Sequence, residues 1–266
     1  MAGQADIDNI AQIGERGLID MLWDPMQFHL VFQPQVNLAT GAIESAEALA
    51  RWHHPAWGLV PTCRLIQAIS DLRLQSALFK RVAELVLDAA KTLNDAGTPL
   101  PLAINACATT LADSGNADFL HDEALRRGVA LSLVKIELTE DAPAVDLAAL
   151  KRSLARLKQW GCEISMDDFG AGYANLGMLI DLTIDELKLD KTFTASVETS
   201  RVARQSVQFA LALAGEMGWR VVAEGISSAL ELRRMRALGC RHGQGFHLGV
   251  PMELGQLITR ARIPGR

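Results

Sequence analysis

Apolar and polar positions change their period along this chain, and the changes mark its elements. Residues 8–24 carry apolar side chains at helical spacing and stop near "WDP", which predicts an amphipathic helix. "FHLVFQPQVNL" and "AIESAEALARW" then read as extended segments joined by "ATG", a hairpin signal. From there extended and helical stretches take turns. Helices predicted around 63–71 and 76–95 precede "PLAIN", one at 117–127 precedes "LVKIEL", and one at 146–160 precedes "CEISMD". A short helical stretch leads to "IDELKLD", a helix at 200–217 to "RVVAEG", and a helix at 228–238 to "RHGQGFHL"; a last helix begins after Pro251.

Strands separated by helices imply βα units and a parallel sheet. Eight strands with outer helices fit a TIM-type (β/α)8 barrel whose first strand runs antiparallel through the hairpin. An open doubly wound sheet is the alternative. The 266 residues, without a low-complexity tract or internal repeat, favour a single barrel domain over 28–266, with 1–27 as a helical lead-in.

Composition narrows the classes. Hydrophobic residues make up 49% of the chain and charged residues 21%, enough for a core and no signature of disorder. A net charge of −5 argues against binding duplex nucleic acid through a broad positive field. Cys63, Cys107, Cys162 and Cys240 form no CxxC pair and read as reduced, buried thiols rather than a zinc site. The N-terminus is no secretory signal, and no apolar run reaches spanning length. A soluble, cytoplasmic protein without membrane contact is expected, either free-standing or as one piece of a tethered parent.

The strands' C-terminal ends carry Glu47, Asn105, Glu137, Asp167 with Asp168, Lys188 with Asp190, Glu224 and Gln244. In a barrel those ends converge on one face. Carboxylates and an amide oxygen, without histidine or thiolate, are hard ligands that suit Mg²⁺ or Mn²⁺. So many acids exceed the charge of one divalent ion, so two are plausible, with Asp167 and Asp168 able to bridge them in phosphodiester cleavage. Lys188 could orient a hydroxide and Arg51 grip a phosphate. Singly, each residue has an ordinary explanation: Glu47 as a first-turn acid, Asn105 as a cap, Glu137 and Glu140 as solvated acids, "DDFGAG" as an Asx turn and hinge. Only their coincidence argues for a site.

Ordered blocks carry a resemblance. "FQPQVNLATG", "EAL" at Glu47–Leu49 running into "ARWHHPAWGLVP", "IN" at Asn105, "IELTE", "MDDFGAGYANL", "ELKLDKTF", "VVAEGI" and "GCRHGQGF" span Phe28 to Pro251. Through them the chain resembles the EAL domain, the bacterial cyclic-di-GMP phosphodiesterase module. The resemblance implies hydrolysis of 3′,5′-cyclic diguanylate to linear pGpG, with two Mg²⁺ or Mn²⁺ ions per site. It implies Glu47, Asn105, Glu137 and Asp167 as ligands of one metal, Asp167 bridging, and Asp168 and Glu224 serving the second. Lys188 resembles the lysine on the attacking water, Glu224 a general base, and Glu140 the anchor of the "DDFGAG" loop. Leu49, Arg51, Asp190, Gln244 and, more weakly, Gln33 match substrate-side positions. A homodimer is implied as well, with a sensor or GGDEF-type domain in a parent protein.

The chain departs from the pattern at Ser227, Ser70 and Gly249-Val250, none of them a metal ligand. These positions bear on substrate affinity or loop coupling. An active phosphodiesterase is therefore expected; a non-catalytic cyclic-di-GMP receptor is the second reading, and action on another dinucleotide the third.

Overall fold

In the computed structural model, which describes residues 13–139, 146–170 and 182–263, the extended segments form one sheet that closes on itself. Strand β1 (Phe28–Asn37) runs antiparallel to β2 (Ile43–His54), with Gln33 opposite Glu47 and Gln35 opposite Ser45. A short β3 (Gly58–Val60) folds back on the end of β2. Then follow β4 (Leu102–Cys107), β5 (Val134–Thr139), β6 (Glu163–Phe169), β7 (Glu186–Leu189), β8 (Arg220–Ala223) and β9 (His242–Gln244). β2 pairs parallel with β4, and each later strand pairs parallel with the one before it. β9 meets β1 antiparallel at Gln35↔Gln244, which closes the ring and rules out the open sheet. The expected barrel is present, its first strand reversed and β3 appended; three residues gave β3 too little pattern to stand out.

Helices α1 (Gly14–Trp23), α2 (Thr62–Asp71), α3 (Gln75–Asp95), α4 (Ala108–Ala112), α5 (Ser114–Arg127) and α6 (Leu147–Gln159) accompany the first part of the barrel. The rest carries α7 (Lys191–Ser196), α8 (Arg201–Met217), α9 (Ala229–Leu238) and α10 (Leu254–Ala261). Local chemistry sets their starts. Asp113, Asp146 and Ser200 accept backbone N–H groups at the N-termini of α5, α6 and α8, and Ser228 with Glu231 forms a capping box on α9. Asp113 thus starts α5 three residues earlier than periodicity predicts. The short α4 and α7 escape a periodic reading altogether, and the helical stretch expected before "IDELKLD" lies outside the described residues.

Strand residues alternate between two environments. Leu102, Ile104, Val134, Ile136, Leu138, Ile164, Leu187 and Leu189 are buried in the hydrophobic core, together with Val86, Leu87 and Ala90 of α3. Each buried leucine, isoleucine or valine among them contributes about 1.5–3 kcal/mol. The intervening residues are polar yet just as buried: Ser45, Glu47, Lys135, Glu137, Ser165, Asp167, Glu186 and Lys188. Hydrogen bonds and ion pairs between strands that are not neighbours place them inside the barrel, as where Lys135 of β5 reaches Glu186 of β7. The barrel is therefore apolar outside, toward its helices, and polar within.

The thiols need a correction. Cys162 and Cys240 are buried, and burial pushes both up to about 12, which makes them inert. Cys63 is exposed on the first turn of α2, and Cys107, half-buried at the end of β4, contacts Thr109 and Thr110.

Candidate active site

Lys188, near the end of β7 and 1% exposed, is the centre of the polar interior. Its Nζ lies 2.8 Å from Glu137 Oε2, 2.8 Å from Glu224 Oε1, 2.9 Å from Asp167 Oδ1 and 3.8 Å from Glu47 Oε2. Strand register explains the convergence. Glu137 stands opposite Asn105 on β4, Lys188 opposite Val222 on β8, and Glu224 follows directly on β8 with its N–H donating to Leu189 O. Four carboxylates share one ammonium, which leaves three negative charges; Asp168 adds a fourth nearby.

The carboxylates respond unequally. Burial works against ionisation of Glu47, but Lys188 and the amides of Asn105 and Gln244 outweigh it and hold the group below its usual range. Asn105 Nδ2 donates to Glu47 Oε1 at 2.7 Å and Gln244 Nε2 to Oε2 at 2.6 Å. Burial pushes Glu137 well above the carboxylate range, and the charges of Glu47 and Asp167 add to the effect against Lys188. Burial likewise pushes Glu224 up to about 7, with Asp167 and Glu47 helping and Lys188 opposing. In the absence of another cation, protons settle the surplus charge.

Adjacent strand residues face opposite sides, so a regular β6 could not direct both Asp167 and Asp168 toward one site. Between Met166↔Leu187 and Phe169↔Leu189 the pairing advances three residues on β6 and two on β7, a β-bulge. Asp168 takes up the extra residue with φ +51°, a left-handed conformation that costs about 1 kcal/mol for a side chain other than glycine. Burial, Asp167 and Asp190 raise its carboxyl above the ordinary range. Oxygens of Asp167, Asp168 and Glu224 lie within 4.8 Å of one another. Asp167 Oδ1 is buried and meets only the shared ammonium of Lys188, at 2.9 Å. A cluster of hard oxygen donors whose charge one ammonium does not balance fits a divalent cation.

Other predicted residues fall around this centre. Gln33, opposite Glu47, accepts from Gln244 Nε2 at 3.1 Å and donates to Gly249 O at 3.1 Å, which ties the Gly249-Val250 departure to the site. Leu49 and Arg51 lie two and four residues beyond Glu47, on the same side of β2. Arg51 Nη1 donates to Ala50 O at 2.9 Å, and burial lowers its guanidinium despite the charge of Glu47. Asp190 is buried and caps α7, accepting from Thr192 N at 2.9 Å. Glu140, expected to anchor the loop, lies outside the described residues.

Gly245, directly after Gln244, has φ +156°, and a Cβ there would stand 2.2 Å from Ile226 O and 2.3 Å from Ile226 N. Since both atoms are backbone, Gly245→Ala is expected to cost about 1–3 kcal/mol or more in urea unfolding and to displace Gln244 from Glu47.

A second buried layer escaped the sequence reading. Lys135 Nζ lies 2.7 Å from both oxygens of Glu186, and donates to Gln35 Oε1 at 3.0 Å. Arg220 Nε approaches Glu186 Oε2 at 3.3 Å. The signal was present in the alternation of "VKIEL" and "DELKL", which set Lys135 and Glu137 against Glu186 and Lys188 with charges reversed.

Comparison with known proteins now bears on this geometry. A family model described as EAL domain matches residues 21–251. The cyclic di-GMP phosphodiesterase PA2567 of Pseudomonas aeruginosa is 37% identical over 86% of this chain and 39% of its own length. RocR, a cyclic di-GMP phosphodiesterase of the same organism, is 31% identical over 93% of this chain and 62% of its own. The chain thus spans less than two thirds of either relative. Among solved structures, the PaMucR phosphodiesterase in complex with c-di-GMP superposes with a TM-score of 0.82 at 30% identity, covering 90% of this chain and 97% of that one. The EAL enzyme Bd1971, in a form bound to cAMP and cyclic-di-GMP, gives 0.85 at 26% identity over 97% and 70%. Among the described residues, no helix is long and apolar enough to cross a membrane.

Proposed function

The chain belongs to the EAL domain family, and from that premise we propose that it hydrolyses 3′,5′-cyclic diguanylate to linear pGpG with Mg²⁺ or Mn²⁺ at two adjoining positions. The observation that carries this reading is the gathering of Glu47, Glu137, Asp167 and Glu224 around Lys188, with Asn105 and Asp168 beside them. Glu47, Asn105, Glu137 and Asp167 would hold one ion; Asp167, Asp168 and Glu224 would hold the other. Bound there, such ions acidify a water and offset charge on the departing oxygen.

The chain's own groups supply the rest. Lys188 keeps a fixed positive charge in a buried site, where an attacking oxygen is oriented and its charge met without reorganisation. Glu224, whose carboxylate lies 2.8 Å from Lys188 Nζ, is assigned to accept a proton from that oxygen. Asn105 and Gln244 hold both oxygens of Glu47, so that carboxylate stays ionised and pointed. Arg51 offers a guanidinium to a phosphate, and Leu49, Gln33, Asp190 and Gln244 border the same space. Glu140 is assigned to the adjoining loop by motif alone. Homodimerisation and control by a sensor or GGDEF-type domain, in the cytoplasm, belong to the same proposal, with sedimentation reading the first.

The test is incubation with cyclic-di-GMP in Mg²⁺, in Mn²⁺ and in excess chelator, with products identified by mass. Metal-dependent pGpG is expected, with chelation lowering turnover by at least a hundredfold. Tight cyclic-di-GMP binding without product in any metal would overturn the enzyme reading in favour of a receptor.

A further inference from the structure

The second buried layer is chemically linked to the first. Gln35 is 2% exposed, and its amide has its full complement of partners. Its Oε1 accepts from Lys135 Nζ at 3.0 Å and from Ser45 Oγ. Its Nε2 donates to Glu137 Oε1 at 2.9 Å and to Gln244 Oε1 at 3.1 Å. With its oxygen so engaged, Gln244 turns its nitrogen to Glu47 Oε2 at 2.6 Å and to Gln33 Oε1 at 3.1 Å. Gln33 in turn donates to Gly249 O. Three amides thus run head to tail, and each of the first two delivers an N–H to a carboxylate of the site.

An amide can present either end, and the three glutamines alone would satisfy one another in the reverse direction. Lys135 removes that freedom from below, because an ammonium only donates, just as the carboxylates of Glu137 and Glu47 act from above by accepting. It compels Gln35 to present oxygen downward and nitrogen upward, and the direction passes along the chain. Glu186, held between Lys135 and Arg220, keeps the ammonium in place.

We propose that the Lys135–Glu186 pair is a polarity lock, a set of positioning residues that fix the direction of the Gln35–Gln244–Gln33 amide chain. Through it they hold Glu137 and Glu47 as oriented carboxylates for metal binding. This inference rests on the metal reading above. It differs from a purely structural role in one respect: with the Arg220 charge removed, a structural ion pair works equally well in either orientation, whereas the lock does not.

Exchanging the pair in Lys135→Glu/Glu186→Lys keeps both charges but places an acceptor beneath Gln35. The new acceptor then competes with Glu137 for the Gln35 N–H groups, and the direction that aims Gln244 Nε2 at Glu47 is no longer enforced. The readouts are Mn²⁺ affinity by calorimetry and unfolding temperature of the metal-free protein. Made in an Arg220→Gln background, so that the relocated ammonium meets no guanidinium, the exchange is expected to weaken Mn²⁺ binding at least tenfold while unfolding stays within a few degrees of the Arg220→Gln protein. If the exchanged protein does not fold, Gln35→Leu and Gln35→Met give the same answer from above, since both retain the ion pair and lose the N–H to Glu137. Each should weaken Mn²⁺ binding by about tenfold.

Parental Mn²⁺ affinity in the exchanged protein, or in both Gln35 variants where the exchange does not fold, overturns the lock. Absence of Mn²⁺ binding by the parent itself would overturn the metal reading instead, so the two failures are distinguishable.

Discussion

Lys188→Met is expected to abolish turnover and to make the metal-free protein unfold more easily, by about 3–5 kcal/mol. The size follows from what the ammonium does. It lies within 2.9 Å of the buried Glu137 and Asp167 and the half-buried Glu224, and a fourth carboxylate, Glu47, stands at 3.8 Å. Methionine fills the same space without the charge and leaves Glu47, Glu137, Asp167 and Glu224 facing one another. Proton uptake by Glu137 and Glu224, already raised above the carboxylate range, relieves part of this but not all. Added Mn²⁺ should then stabilise the variant more than the parent, because a cation no longer competes with an ammonium for the same oxygens. Turnover would stay at least about a hundredfold below the parent even when Mn²⁺ is saturating, since the group that orients the attacking oxygen is gone. Unfolding in urea with and without Mn²⁺, alongside product formation, reads both effects. A variant as stable as the parent without metal would show that the four carboxylates do not depend on Lys188.

What could be read from the sequence divides along a physical line. Period-two alternation bounded by turns is local, so the strands, their order and the reversed first strand were legible, and with them the ends where Glu47, Asn105, Glu137 and Glu224 lie. Motif order supplied the roles proposed for them. What alternation cannot tell is which side of a strand faces the barrel axis, because burial on both sides makes polar interior positions resemble solvent-facing ones. Lys135 and Glu186 were passed over for that reason; Ser45 and Gln35 shared their fate. The bulge at Asp168 depends on register against β7, a property of two strands that neither reveals alone. Asp190 was assigned to the substrate side, and its hydrogen bonds to Thr192 show a second duty, capping α7, that a six-residue helix did not announce.

Glu224→Gln should stabilise the metal-free protein at pH 8 while removing most of its activity. The carboxyl of Glu224 is pushed up to about 7 in the folded chain, chiefly by burial and then by Asp167 and Glu47, from an ordinary value of 4.5. Between those two pH values the folded state keeps a proton that the unfolded state has released. Stability therefore falls as pH rises through this window: the contribution is intact below pH 4.5 and lost above 7. A shift of that size corresponds to about 3 kcal/mol at most, since relief at Glu224 also eases ionisation of Glu137. Glutamine stays neutral throughout, so the variant lacks this slope. The stability difference between variant and parent should be near its minimum at pH 4.5, grow to pH 7 and then level off. Saturating Mn²⁺ should reverse the order, because the parent exchanges the proton for an ion whereas the variant offers the same position a neutral amide. Urea unfolding at pH 4.5, 6, 7 and 8, in chelator and in Mn²⁺, separates these cases. A constant difference across that range would mean that Glu224 is ionised in the folded protein at every pH tested. In that case its charge is neutralised by Lys188 alone, without a proton.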